Sequence, residues 1–158
     1  MARLRLIPRL LRKLADIDPR RRAQLVEAVA WLLIARLALI CVPFPRLARH
    51  LGTFVHPADD RALKAKSNAS EAHARSAEQV GWAVTRAARY VPFSAVCLPQ
   101  AMAARIMLRR RGVSSVLHFG AAKAQQGPLD WHAWLDAAGV RVTGYPVAEG
   151  FTVIACFV

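Results

Sequence analysis

The sequence predicts an α+β fold, with helices first and an antiparallel sheet after them. Three observations predict it. Up to Gly112 the apolar residues recur at helical spacing, whereas beyond it they alternate with a period of two. The helical segments are bounded by cap and breaker residues such as Asp18, Pro43 and Gly52. The alternating runs after Gly112 are short and separated by turn clusters, as in sheets of antiparallel strands. A chain of 158 residues suits one ordinary domain with a helical extension, and an apolar content of 55% excludes disorder throughout.

Taken in order, residues 1–17 read as a basic amphipathic helix ending at "DIDPRRR". Asp18 can cap a second helix with Pro19 at its first position, running to Cys41 before "VPFP" stops it. "RLARHLG" is a short third helix ended by Gly52. Residues 53–72 are polar and punctuated, and read as a loop with a helical turn. Helical spacing returns from Ala72 to Tyr90, and again from Cys97 with Ala101, Ala104, Met107 and Leu108 facing a core. "VSSVLHFGAA", "WHAWLDA", "VRVTGYP" and "FTVIACFV" are then strands, with "AKAQQGPLD", "AAG" and "PVAEG" as turns. This divides the chain into a helical region, 1–72, and a core carrying the sheet, 73–158.

The run "LVEAVAWLLIARLALICVPF", Leu25 to Phe44, nearly has the length of a bilayer span. Glu27 and Arg36 interrupt it and, nine residues apart, project on opposite sides of a helix. No polar face results, so the helix is buried or touches lipid. A charge near the middle of a span is costly, which favours burial or peripheral association. The flanking arginines suit an anionic membrane surface.

The net charge of +13 implies an acidic partner: a nucleic acid, a membrane surface or an acidic peptide. Zinc-finger spacing and Arg/Gly/aromatic repeats are missing, and no nucleic acid is expected. Cys41, Cys97 and Cys156 are too few and too irregular for a disulfide framework, which fits a reducing compartment. The first residues lack the compact apolar segment of a secretory signal, so a cytoplasmic protein is expected, with peripheral membrane contact as an addition.

Within "SAVCLPQAMAARIMLRRRG", Cys97 stands at the front of a helix, where the dipole and unpaired N–H groups stabilise a thiolate. A nucleophile there needs a base on a neighbouring element. His132 is the best candidate: it lies on a strand between Trp131 and Ala133, and alternation puts Asp130, His132 and Trp134 on one face. His118 is a rival base, with a stronger bland reading as a core or edge histidine. Cys41 and Cys156 lie in apolar runs and read as core thiols. His50, His56 and His73 show no metal spacing, and neither a cofactor nor a metal is expected. A cysteine and a histidine in such settings are more often packing than catalysis.

The segments "RYVPFSAVCLPQAMAARIMLRRRGVSSVLHFG", "HAWLDAAGVRV" and "FTVIACF" resemble the leader peptidases of lasso-peptide biosynthesis. Residues 19–52 resemble the helical front half of the stand-alone form of that family. The resemblance implies a transglutaminase-like (papain-like) cysteine protease core in which Cys97 is the nucleophile and His132 the base. It implies hydrolysis of a ribosomal precursor peptide, freeing an amine for a separate ATP-dependent macrolactam cyclase. No strand-rich segment precedes residue 72, which points to a split form served by a separate leader-binding protein. The family usually carries an aspartate a dozen residues after the histidine, where this chain has Gly144. Asp136, Glu149, a backbone carbonyl or a water are the alternatives for orienting His132. Gln100 would orient the turn or donate to substrate, with capping of the helix start as an equally good reading. Two other readings stand beside this one: a transglutaminase-type acyltransferase using the same pair, and a non-enzymatic basic adaptor for membranes or nucleic acid.

Overall fold

A computed structural model describes residues 18–67, 70–123 and 129–158. The helix expected over 1–17 and the middle of the turn expected at 122–130 lie outside the described residues. Five helices and five strands follow in order: α1 (Pro19–Cys41), α2 (Phe44–Leu51), β1 (Phe54–Val55), α3 (Asp60–Ser67), α4 (Glu71–Ala88), α5 (Cys97–Arg109), β2 (Val116–Ala122), β3 (Asp130–Ala137), β4 (Val140–Thr143) and β5 (Thr152–Phe157). The α+β expectation is met: one antiparallel sheet of order β1-β5-β2-β3-β4 packs with the helices, its four main strands following α5.

Asp18 caps α1 as its sequence position implies, its carboxylate accepting from the N–H groups of Arg20 (3.1 Å) and Arg21 (3.3 Å). One side of α1 is buried through Leu25, Ala28, Leu32 and Ala35, at the i, i+3, i+7 spacing of a helix face. It packs on α4 and α5, whose buried faces are rich in alanine: Ala77, Ala83 and Ala87 on one, Ala101, Ala103 and Ala104 on the other. Small side chains let helix axes approach closely, while Leu32, Met107 and Leu108 fill the space between them. Truncating Met107, fully buried, to alanine would cost about 2–5 kcal/mol. The helical layer lies on the sheet through Leu117, Ala133, Leu135, Ala137, Val142 and Phe157. Gly81 of α4 sits directly on the Val142 carbonyl, where any Cβ would collide with backbone. Arg105 ties α5 to the sheet by donating to the carbonyls of Ser115 (2.8 Å) and Phe157 (3.0 Å). Burial, with Arg109 nearby, pushes its guanidinium down to about 10.

Two expectations change. Residues 53–72 were expected as a loop with one turn, but hold β1 and α3. β1 has only two residues and exists through pairing with β5, Phe54 to Phe157 and Val55 to Cys156, so no local period could reveal it. Cys41 was expected in the core and is exposed. The buried face of α1 runs through positions 25, 28, 32 and 35, and Cys41 falls on the opposite side. Within the apolar run Leu25–Phe44, one side is buried, whereas Val26, Leu33, Leu37 and Ile40 are exposed.

Candidate active site

Cys97 is the first residue of α5 and is half-buried at the margin of the helical core. Its helix begins unlike its long neighbours. Asp18 and Ser70 supply side-chain caps to α1 and α4, whereas no side chain caps α5 behind Val96. The first-turn N–H groups of α5 therefore keep their donor capacity, except at Pro99, which has none. Gln100 turns its side-chain amide back to the Ala95 carbonyl (2.6 Å) and so braces the loop entering the helix.

His132 is half-buried near the start of β3 and pairs across the sheet with Gly120 of β2. Its ring stacks on Trp134 (centroids 5.8 Å apart) and tilts against Phe151 (5.5 Å). Gly120 is needed beneath this stack, because a Cβ there would meet the Trp134 ring. Trp134, on the same face by alternation, thus packs on the histidine, whereas its sequence neighbour Trp131 is exposed. The alternate residues Ala133 and Leu135 enter the helix-packed core.

The orienting group is a backbone carbonyl. His132 Nε2 lies 2.7 Å from the oxygen of Gly144, at the position where the sequence lacks an aspartate. A carbonyl can only accept, so Nε2 carries the proton, and in the neutral ring Nδ1 holds the lone pair. Nδ1 is then the atom able to take a proton, and among the described residues no hydrogen bond occupies it. Gly144 is placed by β4 at a positive φ of 82°, pressed on the Ala133 carbonyl and the Trp134 backbone so closely that a side chain would not fit. An aspartate at 144 would disturb this arrangement, which makes its absence a coherent local solution. Glu149 is exposed beyond it and makes no hydrogen bond to His132.

A second constellation lies deeper and was not anticipated. Asp136, buried at 2% exposure, accepts a 2.5 Å hydrogen bond from the Tyr145 hydroxyl through Oδ1. Its Oδ2 is 3.2 Å from His118 Nε2, at ion-pair distance but outside good hydrogen-bond geometry. His118 Nδ1 is 3.2 Å from the Cys156 thiol, and its ring also stacks on Trp134 (5.5 Å). Burial and then the bond to Asp136 push the Tyr145 phenol far above its ordinary range, so it serves only as a neutral donor. The sequence carried part of this signal: alternation places His118 and Asp136 on strands that pair, but only the register Val116 to Asp136 and His118 to Trp134 makes them neighbours. Asp136 is thus engaged with Tyr145 and His118. Cys156 is fully buried, in keeping with its reading as a core thiol.

The structure thus positions Cys97 and His132 on adjoining elements, α5 and β3, without a hydrogen bond between thiol and imidazole among the described residues. Apo sites often hold such groups looser than the reaction needs. No group of three or more metal-ligating side chains occurs among the described residues. No curated protein and no solved structure matches the chain. A family model, described as the transglutaminase-like superfamily, matches residues 38–156, from the end of α1 to the last strand. That span takes in the helix opened by Cys97, the strand bearing His132 and all of the main sheet, and the chain belongs to the transglutaminase-like superfamily.

Proposed function

We propose that this protein is a cysteine peptidase that removes the leader from a lasso-peptide precursor. The observation that carries the reading is the bond from His132 Nε2 to the Gly144 carbonyl, which leaves Nδ1 able to take a proton, on a strand packed against the uncapped helix that the half-exposed Cys97 thiol opens. Cys97 gives its proton to His132 Nδ1, and the thiolate attacks the scissile carbonyl. The oxyanion that forms is held by N–H groups at the start of α5, including that of Cys97. The imidazolium protonates the departing amine, leaving a thioester on Cys97. Water then attacks the thioester, His132 takes its proton, and the leader acid leaves as the thiol is restored. A carbonyl stabilises the imidazolium less than a carboxylate does, so the pair works as a dyad with a weaker orienter.

The amine so exposed would be the substrate of a separate ATP-dependent cyclase. The leader would be presented by a separate binding protein, and the work would take place in the cytoplasm, where cysteines stay reduced. The test is to mix the full chain with a lasso precursor and its leader-binding partner and to read fragments by mass spectrometry. A leader-sized acid from wild type, and none from Cys97→Ala or His132→Ala, is the expected result. Cleavage by Cys97→Ala would remove the assigned nucleophile. Superfamily membership suits acyl transfer to an amine equally well, so added primary amine is a necessary second arm. A leader amide in place of the acid would establish the acyltransferase instead. Leader binding without turnover by any protein would favour an adaptor.

A further inference from the structure

The outer face of α1 is the largest feature that this reading leaves unused. Val26, Val29, Leu33, Leu37 and Ile40 stand at i, i+3, i+7, i+11 and i+14, and all are 42–65% exposed. Ile34 (47%) and Phe44 (45%), the first residue of α2, extend the stripe. A helix that covers a soluble protein normally carries polar residues there, and a contiguous patch of this kind marks an interaction surface.

The charge around the stripe says what covers it. Arg20, Arg21 and Arg22 stand exposed at the N-terminal end of α1, and Arg46 and Arg49 stand exposed on α2 at the other end. The acid within the helix, Glu27, is turned away toward the protein and held by Arg111 (2.6 Å) and Arg110 (3.5 Å). Arg36, half-buried, borders the stripe within the helix. The surface is otherwise apolar along its middle and positive at both ends. The opposite side of α1 is locked into the core by Leu25, Ala28, Leu32 and Ala35, so the helix cannot cross a bilayer without unfolding the domain. A helix with one apolar face, basic ends and a fixed inner side is built to lie in the interface of an anionic bilayer, its side chains among the acyl chains and its arginines at the headgroups.

We propose that α1 docks this protein, lying flat, on an anionic membrane surface through Val26–Phe44. The surface does not overlap Cys97 or His132, so docking and catalysis fail independently. The test is co-sedimentation of the full chain with vesicles of phosphatidylcholine alone and with one-third phosphatidylglycerol. Wild type is expected to bind the anionic vesicles, with affinity falling at least tenfold as salt rises from 50 to 300 mM. Leu33→Ser/Leu37→Ser is expected to lose binding at least tenfold while keeping its circular dichroism and thermal transition, since both side chains already face solvent. Arg20→Gln/Arg21→Gln/Arg22→Gln is expected to lose the preference for anionic vesicles. Equal binding to neutral vesicles, no binding to either, or binding unchanged in Leu33→Ser/Leu37→Ser overturns the proposal. So does a concentration-dependent dimer, or a stable complex with the leader-binding protein, that buries this face and excludes vesicles.

Discussion

Two cysteine–histidine settings share one tryptophan, Trp134, on which both histidine rings stack, and they differ in opposite respects. Cys156, His118 and Asp136 are in contact at 3.2 Å at each step, an array that by connectivity resembles a hydrolase triad. Yet Cys156 is fully buried, and no substrate carbonyl can reach it. Cys97 and His132 share no hydrogen bond, but the thiol is half-exposed, its helix start is uncapped, and the imidazole is oriented with one nitrogen unoccupied. The contrast teaches that contact distance alone does not identify a nucleophile. A reacting thiol needs an approach path and donors for the charge it creates, whereas a well-bonded, sealed thiol is a way of satisfying a buried histidine.

The largest effect expected from this comparison is on turnover. Cys97→Ala should lower precursor cleavage by at least ~10³-fold, because the covalent route is lost. His132→Ala should lower it by ~10²–10⁴-fold, the range for a general acid–base. Cys156→Ala should stay within about tenfold of wild type. Single-turnover rates on the same precursor check all three. If Cys156→Ala were the dead variant, the roles of the two settings would be reversed.

Stability should show the opposite ranking. Cys156→Ala leaves His118 Nδ1 buried without its thiol partner, at a cost of about 1–3 kcal/mol in urea unfolding. Cys97→Ala, at a half-exposed helix start, should change stability by less than about 1 kcal/mol. Tyr145→Phe links the two settings. It removes the donor to buried Asp136 and loosens the residue that follows Gly144, whose carbonyl orients His132. Unfolding stability should fall by about 1–3 kcal/mol. Cleavage should fall severalfold with the lower limb of its pH profile displaced, a displacement that destabilisation alone would not produce. An unchanged profile in the folded variant would show that the Gly144 carbonyl is held without Tyr145.

The sequence made the helical half and the main strands legible because their signals are local. Asp18–Pro19 marks a helix start, the repeat from Ala101 to Leu108 marks a buried face, and the two-residue period marks β2 to β5. What it hid depends on partners distant along the chain. β1 exists only against β5, and the contact between His118 and Asp136 exists only in one register. The orienter of His132 was hidden for a different reason. Every residue has a carbonyl, so Gly144 could be picked out by its spacing from His132 but not by its chemistry. Cys41 misled because composition around a residue does not fix its side of the helix.

The smallest expected effect tests how far the helical half depends on charge where the sheet half relies on its buried network. Glu27 of α1 takes a two-pronged bond from Arg111, Nη2 at 2.6 Å and Nη1 at 3.3 Å. That bond, ahead of the charges of Arg111 and Arg110, holds the carboxyl below its ordinary value of 4.5 against the opposing effect of burial. A folded-state value below the unfolded one means that ionised Glu27 favours the folded chain. The contribution is complete above about pH 4.5 and is lost as pH falls through the lower, folded value. The pair is a quarter exposed on each side, so water screens it, and Glu27→Gln should cost only about 0.5–1 kcal/mol at pH 7. The difference between wild type and Glu27→Gln in urea should shrink as pH falls below 4.5 through the lower, folded value, and shrink too in high salt. A cost that stayed constant down to pH 3 would mean that Glu27 acts by packing against Trp31 and not by its charge.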